Sequence, residues 1–191
     1  SYTYRNRGKS VRNGKAVISE FWATHIPGDT AVVTLHAKGK KGGWGFEIDQ
    51  WARGYEREYI QALVSTLDAA PDEGIDRFEA ICSGDDKENA ICYNGTEIYN
   101  KSKAVSRLLI GGYSACTGWL LGSEGHLMTN NHCIDSQSDA DNTDYEFMAE
   151  GSLCSSNCKS WGACPGVIEA TSGTLVQTDS ALDYSLILLP T

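Results

Sequence analysis

The stretch from Ala115 to Cys133 constrains this chain more than any other. It reads Ala115-Cys116-Thr117-Gly118-Trp119-Leu120-Leu121, then Gly122-Ser123-Glu124-Gly125, then His126-Leu127-Met128-Thr129-Asn130-Asn131-His132-Cys133. An apolar run, a turn carrying two glycines and a second apolar run predict a β-hairpin. A cysteine near each outer end, Cys116 and Cys133, is placed to bridge the pair and fix the loop that presents His132. An imidazole needs such immobilisation to work as a general base. Farther on, Asp183 opens Asp183-Tyr184-Ser185-Leu186-Ile187-Leu188-Leu189, an acid at the mouth of a strand that reads as buried.

Composition narrows the class. The 191 residues are long enough for a real core, and 41% hydrophobic content with 20 glycines and 21% charged residues suits a loop-rich β protein. The net charge of −9 argues against nucleic acid or an anionic membrane as partner, because both recruit basic patches; its plain reading is solubility. No apolar run approaches the ~18 residues of a membrane span. Seven cysteines point to an oxidising compartment. The sequons at Asn94 and Asn100 lean the same way, so a secreted chain whose signal has been removed is expected.

An odd cysteine count leaves one thiol beyond three bridges. Besides Cys116–Cys133, Cys158 and Cys164 flank a short loop, and Cys92 then takes Cys154. That leaves Cys82 to find a partner elsewhere. Only the first pair follows from the hairpin; the others are choices among many pairings. A zinc site built from Cys154, Cys158, Cys164 and His132 fits no standard ligand spacing, and no cofactor or metal is expected.

Taken in order, residues 1–16 read as a basic arm or the remnant of an earlier strand. Residues 17–37 read as a hairpin turning at Pro27-Gly28-Asp29, with alternation across Ala31, Val33 and Leu35. Trp44, Phe46 and Ile48 alternate as a half-buried strand, and residues 56–68 fit a helical period, with Leu63-Val64-Ser65-Thr66-Leu67 open to a short strand instead. The break Ala70-Pro71-Asp72-Glu73-Gly74 suggests a boundary, giving 1–79 as a β-rich accessory or pro-segment and 80–191 as the main domain. Within the latter, Cys82 to Tyr93 reads as an acidic loop. Ala104 to Ile110 reads as a strand turning at Gly111-Gly112 into the Cys116 strand. Residues 135–144 form an acidic loop without the spacing of an EF-hand, read as solvated. Tyr145 to Ala149, Gly166 to Ala170 and Thr174 to Gln177 supply further strands.

The residues Cys116, Gly118, Thr129, His132 and Cys133, followed by Asp183, Ser185 and Leu186, resemble the His loop and Asp strand of chymotrypsin-like serine peptidases. Within them the chain is most similar to the lysyl endopeptidases and related secreted microbial peptidases. Those share paired cysteines ahead of an Arg-Ala-Val-type strand, here Cys82, Cys92 and Ala104-Val105-Ser106-Arg107. Phe21-Trp22-Ala23-Thr24-His25-Ile26-Pro27-Gly28-Asp29 is similar to a stretch that precedes their catalytic domain. The resemblance implies an all-β fold in which 80–191 is the first of two β-barrels. It implies that Asp183 orients His132, which takes a proton from an attacking serine. Protein or peptide is then the substrate.

Two departures stand out. Asn130-Asn131 replaces a pair of alanines, which is expected to alter packing beneath His132 but not its reach. No Gly-Asp-Ser-Gly nucleophile motif occurs, so this chain alone is expected to be inactive. Ser123 and Ser172 precede Asp183 and read as turn residues, and His25, His36 and His126 as structural or surface groups. A lone half-barrel is also expected to expose an apolar face suited to self-association. The alternative is a non-catalytic homologue that binds or inhibits a target protein.

Overall fold

A computed structural model describes residues 4, 9–11, 16–18, 20–26, 30–36, 46–52, 88–158 and 162–190. Near the start, β1 (Lys9–Val11) and β2 (Ala16–Ile18) pair as an antiparallel ribbon. The main body holds β3 (Val105–Ile110), β4 (Ser114–Leu121), β5 (His126–Thr129), β6 (Thr143–Phe147), β7 (Val167–Ala170), β8 (Thr174–Asp179) and β9 (Tyr184–Leu188). These seven strands form one antiparallel sheet in the order β7-β6-β3-β4-β5-β9-β8. The sheet curls into a half-barrel, so the protein is all-β. Two short helices, α1 (Glu97–Ser102) and α2 (Gln137–Asp141), and a 3-10 turn at Ala90–Tyr93 complete it.

Local sequence accounts for the hairpins. Gly111 and Gly112 take φ of 58° and 77°, a region open to glycine, and reverse the chain so that Ile110 faces Ser114 and Val105 faces Trp119. The Gly122–Gly125 turn sets Leu121 opposite His126 and Leu120 opposite Leu127. Side chains alternate between faces, so that register directs Leu108, Leu127 and Ile187 into one core with Ile134 and Tyr145, all at 0% exposure. Burying each of these aliphatic groups contributes about 1.5–3 kcal/mol. Gly118 is glycine because this point of β4 lies tight against its neighbour β5. A Cβ there would lie 2.6 Å from Leu127 Cδ2 and 3.0 Å from the Met128 carbonyl oxygen. The buried Tyr145 hydroxyl donates to the Ala140 carbonyl at 3.2 Å, which satisfies it, and burial pushes its pKa well up.

Several expectations are corrected. Residues 135–144 are not a plain loop: α2 forms because Ser136 caps it, its Oγ accepting the Asp139 N–H at 3.2 Å. The strand expected at Tyr145 to Ala149 starts two residues earlier, and it stops at Phe147 because Met148 turns at φ 55°. Helix α1 was not anticipated; Thr96 caps it by accepting the Tyr99 N–H at 3.3 Å. Upstream, residues 31–36 and 46–50 are not strands, although β2 exists and pairs back with β1 inside the supposed arm. Alternation alone makes no strand without a sheet edge to join, and Val32, Val33, Leu35, Phe46 and Ile48 are all exposed. The helix at 56–68, the break at 70–74 and the Pro27-Gly28-Asp29 turn lie outside the described residues.

Candidate active site

His132 sits just past the end of β5. Buried Thr129 closes that end, its Oγ1 donating to the Thr117 carbonyl at 2.9 Å. The chain then turns, with the N–H groups of Cys133 and Ile134 both donating to the Asn130 carbonyl at 3.2 and 3.3 Å. The turn is anchored directly after the histidine. Cys133 is bonded to Cys116 of β4, and Ile134 is fully buried in the core. The imidazole lies beside that bridge, its nearest nitrogen and both sulfurs within 4.8 Å of one another. Because the two sulfurs are joined to each other, they offer no thiolate for a metal. Cys154, Cys158 and Cys164 are likewise in disulfides.

Asp183 approaches from the next strand over, at the mouth of β9, with φ of 50°. That left-handed turn, which Asp tolerates better than most residues, aims its carboxylate back at the His loop. Oδ1 accepts the His132 backbone N–H at 3.0 Å. His132 Nδ1 lies 2.8 Å from Oδ2 and 3.0 Å from Oδ1. A carboxylate only accepts, so Nδ1 carries a proton, and in the neutral imidazole Nε2 is then the nitrogen with the lone pair. No hydrogen bond of Nε2 is present among the described residues, and the side chain is 69% exposed. The Asp183 carboxyl is held below its ordinary range, chiefly by the His132 backbone N–H, with smaller help from the His132 ring and Asn130 against the opposing effect of desolvation.

Sequence reasoning missed the role of the two asparagines. Asn130 Nδ2 donates to Asp183 Oδ2 at 3.1 Å and to the Asp183 carbonyl at 3.3 Å. Asn131 Nδ2 donates to Thr178 Oγ1 at 2.7 Å, and Thr178 in turn shares a 2.7 Å bond with Ser185 Oγ. Ser185 then donates to the Ile134 carbonyl at 2.5 Å. These residues are hydrogen-bonding ties between the His loop and β8–β9, where only altered packing was expected. The signal lay in the residue type: an amide pair beside a histidine brings donors that alanines lack.

Four further cysteines form two more bridges among the described residues. Cys92 is bonded to Cys154, with Asn89 Nδ2 donating to the Cys154 and Ser156 carbonyls at 2.9 and 2.7 Å. Cys158 is bonded to Cys164. Their loop is fastened to the sheet by Arg107, whose Nε donates to Glu146 Oε2 at 2.6 Å and whose Nη1 donates to the Ala163 carbonyl at 2.9 Å. Glu146 Oε1 also accepts the Gly166 N–H at 2.8 Å. Cys82 lies outside the described residues. Asn94 sits in an exposed turn and Asn100 on the exposed side of α1. Ser123 occupies the β4–β5 turn and Ser172, buried, the bend before β8; His132 hydrogen-bonds to neither. His126 opens β5, and His25 is taken up below.

Residues 82–191 match the family model described as "Lysyl endopeptidase, C-terminal domain". The chain belongs to that family. It is also similar to "Secreted RxLR effector protein 73" of Plasmopara viticola, 53% identical over 116 residues. That match takes in 59% of this chain and 29% of the relative, so the chain spans less than a third of the relative's length. Three disulfides and a relative named as secreted agree on an oxidising, extracellular setting. Membership makes this a peptidase-related domain. The relative's name describes an effector and does not mention proteolysis.

Proposed function

We propose that residues 80–191 form the first barrel of a chymotrypsin-like serine endopeptidase and supply the acid–base half of its triad. One observation carries this: His132 Nδ1 is held by both oxygens of Asp183, at 3.0 and 2.8 Å, while Nε2 is left open. A surface histidine without a task has no need of a strained acid, a backbone donor and an amide arranged around it. In this reading Asp183 fixes the tautomer and stabilises the imidazolium that forms. Nε2 then takes the proton of a serine hydroxyl as that oxygen attacks a peptide carbonyl, and returns it to the leaving amine. The serine, the oxyanion donors and the pocket for the substrate side chain belong to residues other than these 191. Residues 1–191 alone therefore hydrolyse no peptide, and residues 1–79 are an accessory or pro-segment.

The test uses the natural secreted product and a fluorophosphonate probe, which reacts with an activated serine. The reading expects labelling at a serine outside residues 1–191, lost in His132→Ala. Absence of label on the natural product, or undiminished label on the variant, overturns it. Stoichiometric labelling of residues 1–191 by themselves overturns the proposed inactivity.

A second reading, a secreted homologue that binds a target protein without cutting it, draws on the relative named as an effector. It expects no labelling of the natural product and no effect of His132→Ala on target binding.

A further inference from the structure

The outer face of β3 and β6, opposite the core, carries two groups unusual for a solvent face. Leu109 and Asp144, directly paired across the two strands, are 3% and 6% exposed. What lies there is the stretch Phe21–Ile26, 119 and 120 residues in sequence from the side chains it reaches, Asp144 and Asn142. The Trp22 backbone N–H donates to Asn142 Oδ1 at 3.1 Å. Three residues on, the His25 backbone N–H donates to Asp144 Oδ2 at 2.9 Å, and the His25 ring nitrogen Nδ1 meets the same oxygen at 3.1 Å. Between those two anchors Thr24 is 5% exposed, its N–H donating to the Tyr4 hydroxyl at 2.6 Å.

The fit is steric as well as polar. The Trp22 indole lies flush on the Gly112 backbone: a Cβ there would be 2.8 Å from Trp22 Cε3. Its edge also meets the Tyr113 ring, centroids 6.3 Å apart. Glycine at 112 thus serves twice, for the turn and for this contact. None of the seven cysteines lies in residues 1–79, so no disulfide can hold that region to the barrel.

We infer that the outer face of β3 and β6 is a peptide-docking surface whose occupant is the chain's own Trp22–His25 segment, and that this contact keeps the upstream region on the barrel after the connecting chain is cut. Trp22 fills the notch over Gly112, and His25 engages Asp144 through backbone and ring together. This holds whether or not the protein is a peptidase.

The experiment places a specific protease site after Gly74 in the whole chain, cuts it, and passes the product through size exclusion without denaturant. The two pieces co-elute in the otherwise unchanged protein. In Trp22→Ala/His25→Ala they separate, the association weakened about tenfold or more by the lost buried contacts. Asp144→Ala, made on the barrel side, gives the same separation, while an unchanged near-ultraviolet circular dichroism spectrum of the uncut variant confirms a folded barrel. Separation of the pieces in the unchanged protein overturns the inference. So does co-elution in both variants, which would place the attachment elsewhere.

Discussion

The three disulfides close loops of very different size, with sequence separations of 62 for Cys92–Cys154, 17 for Cys116–Cys133 and 6 for Cys158–Cys164. A cross-link stabilises mainly by restricting the unfolded chain, and the effect grows with the logarithm of loop length. Those separations give about 4, 3 and 2 kcal/mol at 25 °C. Cys116 and Cys133 also pack against the core, so removing that pair costs some apolar contact as well. Replacing each pair by alanines and titrating with urea should therefore rank Cys158/Cys164 clearly last. The midpoint for Cys116/Cys133 falls by about 1–3 M at ordinary urea slopes. Its loss also frees the turn that holds His132, so the imidazole resonances broaden or shift there and stay put when Cys158–Cys164 is removed. If the short loop costs the most, or if all three cost the same, chain entropy is not what these bridges supply. The argument that Cys116–Cys133 fixes the histidine would weaken with it.

Further predictions follow from single contacts. Gly118→Ala drives a Cβ to 2.6 Å from Leu127 Cδ2, and the packing of β4 against β5 must give at a cost of about 1–3 kcal/mol in thermal or urea unfolding; an unchanged midpoint would contradict the close packing. Glu146→Ala strands the Arg107 guanidinium, which is one-fifth exposed, and should cost about 3–5 kcal/mol, whereas Glu97→Ala, which breaks the exposed pair with Lys101, should be barely measurable. Asp183 titrates below the ordinary aspartate value of about 3.9. Its stabilising contribution is complete above that value and is lost as pH falls through its lower folded one, so a carbon-detected titration with a midpoint at or above the ordinary value would contradict the clamp.

The hairpin from Ser114 to Thr129 was legible because three local signals agree on one answer: alternation, a turn with two glycines, and a cysteine at each outer end. The same holds for β9, a mostly apolar run broken only by Ser185, which fits between β5 and β8. Helix α2 was hidden by its composition. Gln137 to Asp141 reads as solvated loop, and only the cap of Ser136 on Asp139 marks it. The alternation at Ala31 to Leu35 pointed the wrong way because period two records fitness for a sheet and not the presence of one. Long-range geometry was the least accessible. Nothing near His25 predicts Asp144, and nothing near Asn130 says that its amide will reach an acid at the mouth of the neighbouring strand. The His132–Asp183 pairing was suggested by the resemblance and not by spacing, since the two are 51 residues apart.

Asp183 holds His132 as the Nδ1–H tautomer with Nε2 free to accept a proton. Proton–nitrogen NMR of the imidazole side chains tests it most directly. The expected result is a far-downfield, exchange-protected Nδ1–H signal for His132 that disappears in Asp183→Ala and weakens in Asn130→Ala. A neutral His132 protonated on Nε2, or a ring signal indifferent to Asp183→Ala, would contradict it.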